Sequence, residues 1–337
     1  MPLNNLTSQY LDAIEEELRR AALRSEGPHL GHYDYMMAYH LGWEGEGAGS
    51  EARGKRIRPL LVLLSNASAG GNWQDALPAA AAVELLHNFS LIHDDIQDDS
   101  PLRRGRVTVW KKWGIPQAIN TGDAMLTLAH LWLLRLETTA SPTIALQAAK
   151  ILQNACLLLT QGQYLDLAYE NHASLPIDAY WHMVAGKTAA LLTACTEIGA
   201  LTAGADEVRC QAYHQFGYSL GLAFQAQDDI LGIWGDAAQT GKSTASDLLA
   251  GKKSLPIIYG LNQGGPFAQR WAEGPIQPAE VKALADQLEA EGALQFTQES
   301  ASEMTRLALD SLAEANPTGE AGRALIDLAN QLLGRQG

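Results

Sequence analysis

An apolar run that ends in a knot of acids constrains this chain more than any other feature. Ala81, Val83, Leu85, Leu86, Phe89, Leu91 and Ile92 have the density of a buried helix, and Asp94, Asp95, Asp98 and Asp99 follow within six residues. On a helix, residues four apart share a face, with Cβ atoms roughly 5–6 Å apart. Asp94 and Asp98 therefore point one way, and Asp95 and Asp99 another. Like charges at this spacing weaken a helix by roughly a few tenths of a kcal/mol per pair, and helix C-termini disfavour anions. Two local penalties at one place imply a bound partner, most simply a divalent cation. Arg103 and Arg104 follow the acids, and arginine suits phosphate.

A second run repeats the design. Phe224-Gln225-Ala226-Gln227-Asp228-Asp229-Ile230-Leu231-Gly232 closes another apolar helix, followed by Asp236, Thr240-Gly241-Lys242-Ser243 and Gly251-Lys252-Lys253. Hard carboxylate oxygens suit Mg²⁺, which keeps several waters and shares its shell with substrate phosphates. Two carboxylate clusters able to face each other suit a metal-bridged diphosphate. An EF-hand is excluded, because counting from Asp94 there is no glycine at the sixth loop position and no glutamate at the twelfth. Either cluster alone reads equally well as a solvated helix end; the pair, each with downstream cations, argues against chance.

The remaining cations fall into groups. Lys55 and Arg58 flank a helix start in Gly54-Lys55-Arg56-Ile57-Arg58-Pro59, where free N–H groups and the helix dipole favour an anion. Lys187 stands inside an apolar, small-residue helix. Gly186-Lys187-Thr188 is not a P-loop, since the first glycine of that motif and its preceding strand are missing. His87 lies on the first acid-bearing helix, and the pattern leaves it between a core histidine and a phosphate contact.

With 24 basic and 38 acidic residues the net charge is -14. Such a chain is a poor general binder of nucleic acid or anionic membrane, so any anion site must be local. Cys156, Cys195 and Cys210 show no metal-ligand spacing, and their odd number argues against a disulfide framework. A reducing, cytoplasmic setting fits. The first residues lack the basic and apolar regions of a signal peptide. The apolar run 125–134 contains His130 and meets Arg135, so no membrane span is expected there.

Helical spacing predicts helices over 6–23, 60–65, 75–98, 110–135, 143–169, 177–201, 205–234, 255–261, 278–288, 294–313 and 319–333. Residues 24–53 read as a linking segment with a short helix at 35–41. Period-two alternation is almost absent, and residues 106–109 are too short a strand to matter. No composition shift marks a boundary. The expectation is one all-α domain over residues 1–337.

From Gly54 to about Ile258 the chain resembles the trans-isoprenyl (polyprenyl) diphosphate synthases. Gly54-Lys55-Arg56-Ile57-Arg58-Pro59 is similar to their isopentenyl diphosphate motif, and Asp94-Asp95-Ile96-Gln97-Asp98 with Arg103-Arg104-Gly105 to their first aspartate-rich motif. Lys187-Thr188 and Phe224-Gln225 with Asp228-Asp229 look like the later motifs. The resemblance implies an antiparallel helix bundle with a central active-site cavity, of the isoprenoid synthase type. It implies that Asp94, Asp98 and Asp228 hold Mg²⁺ on the allylic diphosphate, and that Arg103, Lys187, Thr188, Gln225, Lys242 and Lys252 hold that diphosphate. Lys55, Arg58, His87 and Arg104 would hold isopentenyl diphosphate, with Gln163 and Asp166 beside the reacting carbons and Lys187. Asp94, Asp98, Asp228, Lys187 and Arg103 would carry catalysis. The allylic C–O bond ionises, the isopentenyl double bond attacks the cation, and a proton leaves to the departed diphosphate. No protein nucleophile is needed, which matches the absence of a triad.

One position departs from that pattern. Gly232 stands where the fuller motif has a third aspartate; Asp236, one turn on, is placed to contribute through water, and the resemblance implies that the third acid is the less critical one, so activity is expected. Product length rests on Phe89 and Ser90. Phe89 lies five positions before Asp94, roughly 7.5 Å deeper along the helix. One aromatic there resembles the geranylgeranyl (C20) type. Met125, Leu126 and Leu128 could equally set the floor, so farnesyl (C15), geranylfarnesyl (C25) or longer products stay open. Two other classes compete: a class I terpene cyclase, which needs one diphosphate site only, and a non-catalytic partner subunit, which would be expected to lose motif acids. The resemblance and the apolar helices around 110–170 lead to the expectation of a homodimer.

Overall fold

The computed structural model describes residues 3–24, 29–170, 172–235 and 246–334. Asp236 and Lys242 lie outside the described residues. The helices start and stop where glycine, proline and apolar spacing dictate. In chain order they begin with α1 (Leu3–Ala22), α2 (Gly31–His40), α3 (Ser50–Arg53), α4 (Ile57–Ser68) and α5 (Leu77–Gln97). A hairpin of two short strands follows, β1 (Leu102–Arg103) and β2 (Arg106–Val107). Then come α6 (Val109–Trp113), α7 (Ile115–Leu133), α8 (Leu136–Thr139), α9 (Pro142–Tyr169), α10 (Ile177–Val184), α11 (Ala190–Thr202) and α12 (Glu207–Trp234). The helices Ser246–Ala250, Leu255–Gln263, Pro266–Ala272, Val281–Ala290, Ala293–Glu314 and Gly319–Leu333 complete the described chain. The fold is all-α, as its composition of signals predicts.

Three departures have local causes. The helix expected over 110–135 is broken into α6 and α7 at Gly114, whose φ of 86° leaves the helical region. Pro116 then opens α7, where its missing N–H costs nothing. The helix expected over 177–201 is interrupted by one turn of π-helix, Ala185–Ala189. The segment 24–53 contains α2 and α3, because Met36, Met37, Ala38 and Tyr39 are buried and pull it into the core.

The chain divides into two compact units. The first contains Met1–Gln153, Cys195–Cys210 and Asn316–Leu325. In it α5 packs against α1, α4 and α7. Ala79, Ala80, Ala81 and Ala82 are wholly buried, and such small side chains let neighbours approach closely. From α7, Gly122 makes room for His93 of α5: a Cβ on Gly122 would lie 2.5 Å from the imidazole Cδ2. On α1, Tyr10, Ile14 and Leu18 recur at helical spacing and are buried.

The second unit contains Asn154–Ala194, Gln211–Ala315 and Ile326–Gly337. One apolar cluster joins Leu175, Tyr180, Val184, Leu222 and Leu255; another joins Ile233, Leu248, Ile257, Phe267 and Leu288. Full burial stabilises each large side chain by about 1.5–3 kcal/mol. Along α12, Phe216, Leu220 and Ala223 are buried at helical spacing, which fixes the rotation of the acids that follow. Among the described helices α9 is long and apolar enough, by length and composition alone, to cross a membrane, and 33% of its apolar window is buried.

Candidate active site

At the end of α5 the chain turns back on itself. The Asp98 N–H donates to the Asp94 carbonyl at 2.9 Å, and Ser100 N–H to that of Asp95 at 3.0 Å. Asp99 leaves the helix with φ 49°, so it does not share a helix face with Asp95. In the hairpin, Arg104 and Gly105 both have positive φ, as tight two-residue turns require. The reversal returns Arg103 to the acids. Its Nε donates to Asp95 Oδ1 at 2.7 Å and its Nη2 to Asp94 Oδ2 at 3.2 Å. Asp95 is 2% exposed. Burial pushes its carboxyl up to about 6; Asp94 and Asp98 push the same way and Arg103 opposes them. Asp94 and Asp98 retain access to solvent, so the pair expected to hold metal is the accessible pair.

A cluster of cations forms in the same unit. Arg56 precedes α4 in the left-handed region, φ 48°, and its side chain is buried. Its Nη1 donates to Glu84 at 2.8 Å, its Nε to Glu15 at 2.7 Å, and its Nη2 to the Leu41 carbonyl at 3.1 Å. Asn88 also donates to Glu84, at 2.9 Å. This anchor sets the turn that carries Lys55, which is exposed, and Arg58, which is half-buried. Arg58 Nη1 lies 3.2 Å from His87 Nε2. An arginine can only donate, so Nε2 is the acceptor nitrogen. Burial holds His87 well below the usual histidine range, and the charges of Arg58, Arg104 and Arg103 push it further down. Gly54, φ 76°, admits the Arg104 guanidinium: a Cβ there would lie 2.6 Å from its Cζ. Arg104 Nη1 donates to the Ala52 carbonyl at 3.0 Å. The charge of Glu84 reaches Arg58 and Arg104, but its Oε1 is already held by Arg56 and Asn88. Crowded cations with their nearby acid engaged favour an arriving anion.

In the second unit, the π-helical turn is pressed against α9. A Cβ on Gly162 would meet Gly186 C at 2.7 Å and Lys187 Cα at 2.8 Å, and one on Gly186 would meet the Leu158 carbonyl oxygen at 2.6 Å. Only glycine permits this backbone contact. π-Turns of this kind often mark functional sites. Lys187 pairs with Asp166 of α9; Gln163, half-buried, follows Gly162 on that helix. Thr188 Oγ1 donates to Gln225 Oε1 at 2.9 Å, and Gln225 Nε2 to Asp229 Oδ1 at 2.8 Å. Asp229 Oδ2 accepts from Tyr180 Oη at 2.7 Å and from Leu255 N–H at 2.8 Å. Asp229 is thus internal, 1% exposed, while Asp228 beside it retains access to solvent. Burial pushes the Asp229 carboxyl up to about 6, against the opposing charge of Lys252. Burial works against the charge on Lys252, yet Asp229, Asp247, Asp166 and Asp228 together raise its pKa above the ordinary lysine range. Lys253 instead lies 5.0 Å from the Trp271 ring centre.

Among the described residues no three His, Cys, Asp or Glu side chains form a ready metal cage. Asp94 and Asp98, one turn apart, offer what Mg²⁺ commonly takes: one or two carboxylates, completed by water and substrate phosphate.

A family model described as Polyprenyl synthetase matches residues 48–287. The chain belongs to the polyprenyl synthetase family. This synthetase is an enzyme, a trans-prenyltransferase. It is 43% identical over 253 residues to the geranylgeranyl diphosphate synthase of Mycobacterium tuberculosis (strain ATCC 25618 / H37Rv), covering 74% of this chain and 71% of that one. It is 38% identical over 335 residues to the (2E,6E)-farnesyl diphosphate synthase of Mycobacterium bovis, covering 96% and 91%. The crystal structure of the polyprenyl synthetase from Streptomyces coelicolor A3(2) matches it with a TM-score of 0.88 at 36% identity, covering 98% of this chain and 99% of that one.

Sequence reasoning passes over four side chains that adjoin candidate residues within their own unit: Arg56 and Glu84 in the first, Tyr180 and Asp247 in the second. Only Arg56 carried a signal, as the central cation of the Gly54–Pro59 motif. The others are tied to those residues by contacts between distant segments.

Proposed function

We propose that this synthetase is a Mg²⁺-dependent short-chain prenyl diphosphate synthase that joins isopentenyl diphosphate to an allylic diphosphate and makes geranylgeranyl diphosphate (C20). One observation carries the reading. The first unit holds an acid end, Asp94 and Asp98 with Arg103, and beside it a separate cation cluster of Arg58, His87 and Arg104. Two diphosphates need two such sites, whereas a terpene cyclase needs one. Asp94, Asp98 and Asp228 are all present, against a non-catalytic subunit.

The division of labour follows from the family. Asp94, Asp98 and Asp228 hold Mg²⁺ on the allylic diphosphate. Arg103, Lys187, Thr188, Gln225 and Lys252 bind that diphosphate, with Lys242 from outside the described residues. Lys55, Arg58, His87 and Arg104 orient isopentenyl diphosphate. Asp166 holds Lys187 in place, and Gln163 sits near it. When bound, Mg²⁺ supplies positive charge to the departing diphosphate. Arg103, Lys187 and Lys252 add fixed charge where the negative charge grows. The allylic C–O bond breaks, the isopentenyl double bond attacks the cation, and a proton passes to the released diphosphate.

For product length, Phe89 is 7% exposed and meets His93 edge-on, with ring centres 4.8 Å apart. His93 in turn fills the gap over Gly122. Phe89, His93 and Gly122 thus adjoin one another in turn, which supports Phe89 as part of a C20 floor. Ser90 binds the His87 carbonyl at 2.7 Å and adds little bulk. A C15 product is the second reading, favoured by the farnesyl diphosphate synthase relative that spans 96% of the chain. The single-domain reading is supported by a family match that runs through both units. A homodimer is supported by exposed Leu131, Leu146, Leu157, Leu158 and Tyr164 on α7 and α9, and a cytoplasmic setting by three free cysteines.

The test is incubation with Mg²⁺, isopentenyl diphosphate and each allylic starter (C5, C10, C15), followed by chromatography of the dephosphorylated alcohols. A dominant C20 alcohol supports the reading. A shorter or longer alcohol moves the floor away from Phe89, and no coupled product overturns the activity.

A further inference from the structure

The second acid motif lacks its third aspartate, and the structure shows what stands in its space. A Cβ on Gly232 would lie 2.6 Å from Asp247 Cγ and 2.9 Å from Asp247 Oδ1, with Oδ2 nearer still. Side-chain carbons do not approach other groups so closely, so a side chain at 232 and the Asp247 carboxylate cannot both keep these places. Asp247 comes from the separate short helix Ser246–Ala250 and is 7% exposed. Its main-chain carbonyl accepts the Lys252 N–H at 3.0 Å, which closes the turn joining the two residues.

Lys252 lies in an acid-rich setting to which Asp247 contributes. Lys252 is half-buried and has carboxylates around it from Asp229, Asp247, Asp166 and Asp228. Asp229 already accepts from Gln225, Tyr180 and Leu255, which uses three of the roughly four lone-pair sites of a carboxylate. Asp166 is paired with Lys187. A further carboxylate beside Lys252 keeps this cation in place next to Asp228.

We propose that Asp247 supplies the missing third carboxylate of the second acid motif from a different helix, and that Gly232 is the gap that admits it. Asp247 is a positioning residue. It holds Lys252 beside Asp228 and Asp229, so that the acid–lysine set is assembled before the diphosphate arrives. Asp236 lies outside the described residues. The inference rests on the reading that Asp228 and Lys252 serve the allylic diphosphate.

The experiment compares the natural enzyme with Asp247→Asn, Asp247→Ala, Gly232→Asp and the double variant Gly232→Asp/Asp247→Ala. Folding is checked by circular dichroism. Mn²⁺ binding in the presence of inorganic pyrophosphate is read by electron paramagnetic resonance, and turnover is measured alongside. Residues that support a metal site typically cost 10–100-fold in affinity when changed, so Asp247→Asn and Asp247→Ala should weaken Mn²⁺ binding by about tenfold or more. Gly232→Asp alone should be impaired, because two carboxylates then compete for one space. The double variant should recover to within about threefold of the natural enzyme, on that same scale. A folded double variant no better than Asp247→Ala overturns the proposal. So does unchanged Mn²⁺ binding in Asp247→Asn, which keeps the side-chain shape and decides the matter if the double variant does not fold. If the natural enzyme forms no prenyl product, the functional reading fails instead. If it is active and Asp94→Ala is not, but the exchange gives no rescue, only the Asp247 assignment fails.

Discussion

Replacing Arg56 by Met tests the anchor beneath the cation cluster. Met keeps an unbranched apolar stem and removes the guanidinium, which leaves Glu84, 2% exposed, and Glu15 without their cationic partner, each holding only a neutral donor, Asn88 and Trp43. Removing one member of a buried ion pair typically costs about 3–5 kcal/mol, most of it the penalty of the stranded charge. At about 2.1 cal/mol/K of unfolding entropy per residue, a chain of 337 residues loses about 1.4 °C per kcal/mol. Arg56→Met should therefore melt about 4–7 °C lower by scanning calorimetry. Adding Glu84→Gln removes the stranded charge and should restore about 2 kcal/mol of the loss, as a non-additive double-mutant cycle. Because Arg56 sets the turn carrying Lys55 and Arg58, KM for isopentenyl diphosphate should rise while KM for the allylic substrate stays unchanged. A loss below about 1 kcal/mol, or a double variant less stable than the single effects predict, would refute the anchor as described.

Three further perturbations probe other parts of the machinery. Gly162→Ala drives a methyl into the backbone at Lys187 and should lower kcat by about a hundredfold, since a shift near 1 Å can cost that much; kcat within twofold of the natural enzyme would disprove the crossing's role. Asp94→Ala should lower kcat by at least about a hundredfold with an unchanged circular dichroism spectrum, and near-normal turnover would sink the metal assignment. His87 is held well below its unfolded pKa of 6.5, so the folded protein refuses a proton that the unfolded chain accepts. Stability should be complete above pH 6.5 and fall below it by up to about 1.4 kcal/mol per pH unit from this group. Urea melts of His87→Gln should show that much less slope between pH 6.5 and 5, and an identical slope would count against it.

The helices and the acid motifs were legible because their signals are local. Apolar spacing, the Pro59 and Pro116 positions and the aspartate runs can be read within one turn or two. Gly114 was hidden within a favourable helical pattern, since the sequence does not say that its φ turns positive. The π-turn around Lys187 arises from the contact of Gly162 with Gly186, two glycines on different helices. Within each aspartate pair the sequence cannot tell the exposed member from the buried one. Asp95 and Asp229 turn inward because Arg103, Tyr180 and Leu255 reach them from other segments. The same applies to Lys252 and Lys253, adjacent and chemically identical: one lies among carboxylates and the other against Trp271.

The hold of Arg103 on Asp94 and Asp95 has a consequence for the order of events. In the proposed reading the same guanidinium must serve the diphosphate, and it cannot grip both partners at full strength. A diphosphate that drew Nη2 away would bare the Asp94 oxygen it now covers, so anion binding and the uncovering of a carboxylate would be one event. The shorter contact of Nε with buried Asp95, 2.7 Å, would keep the arginine tethered while its other nitrogen changed partner.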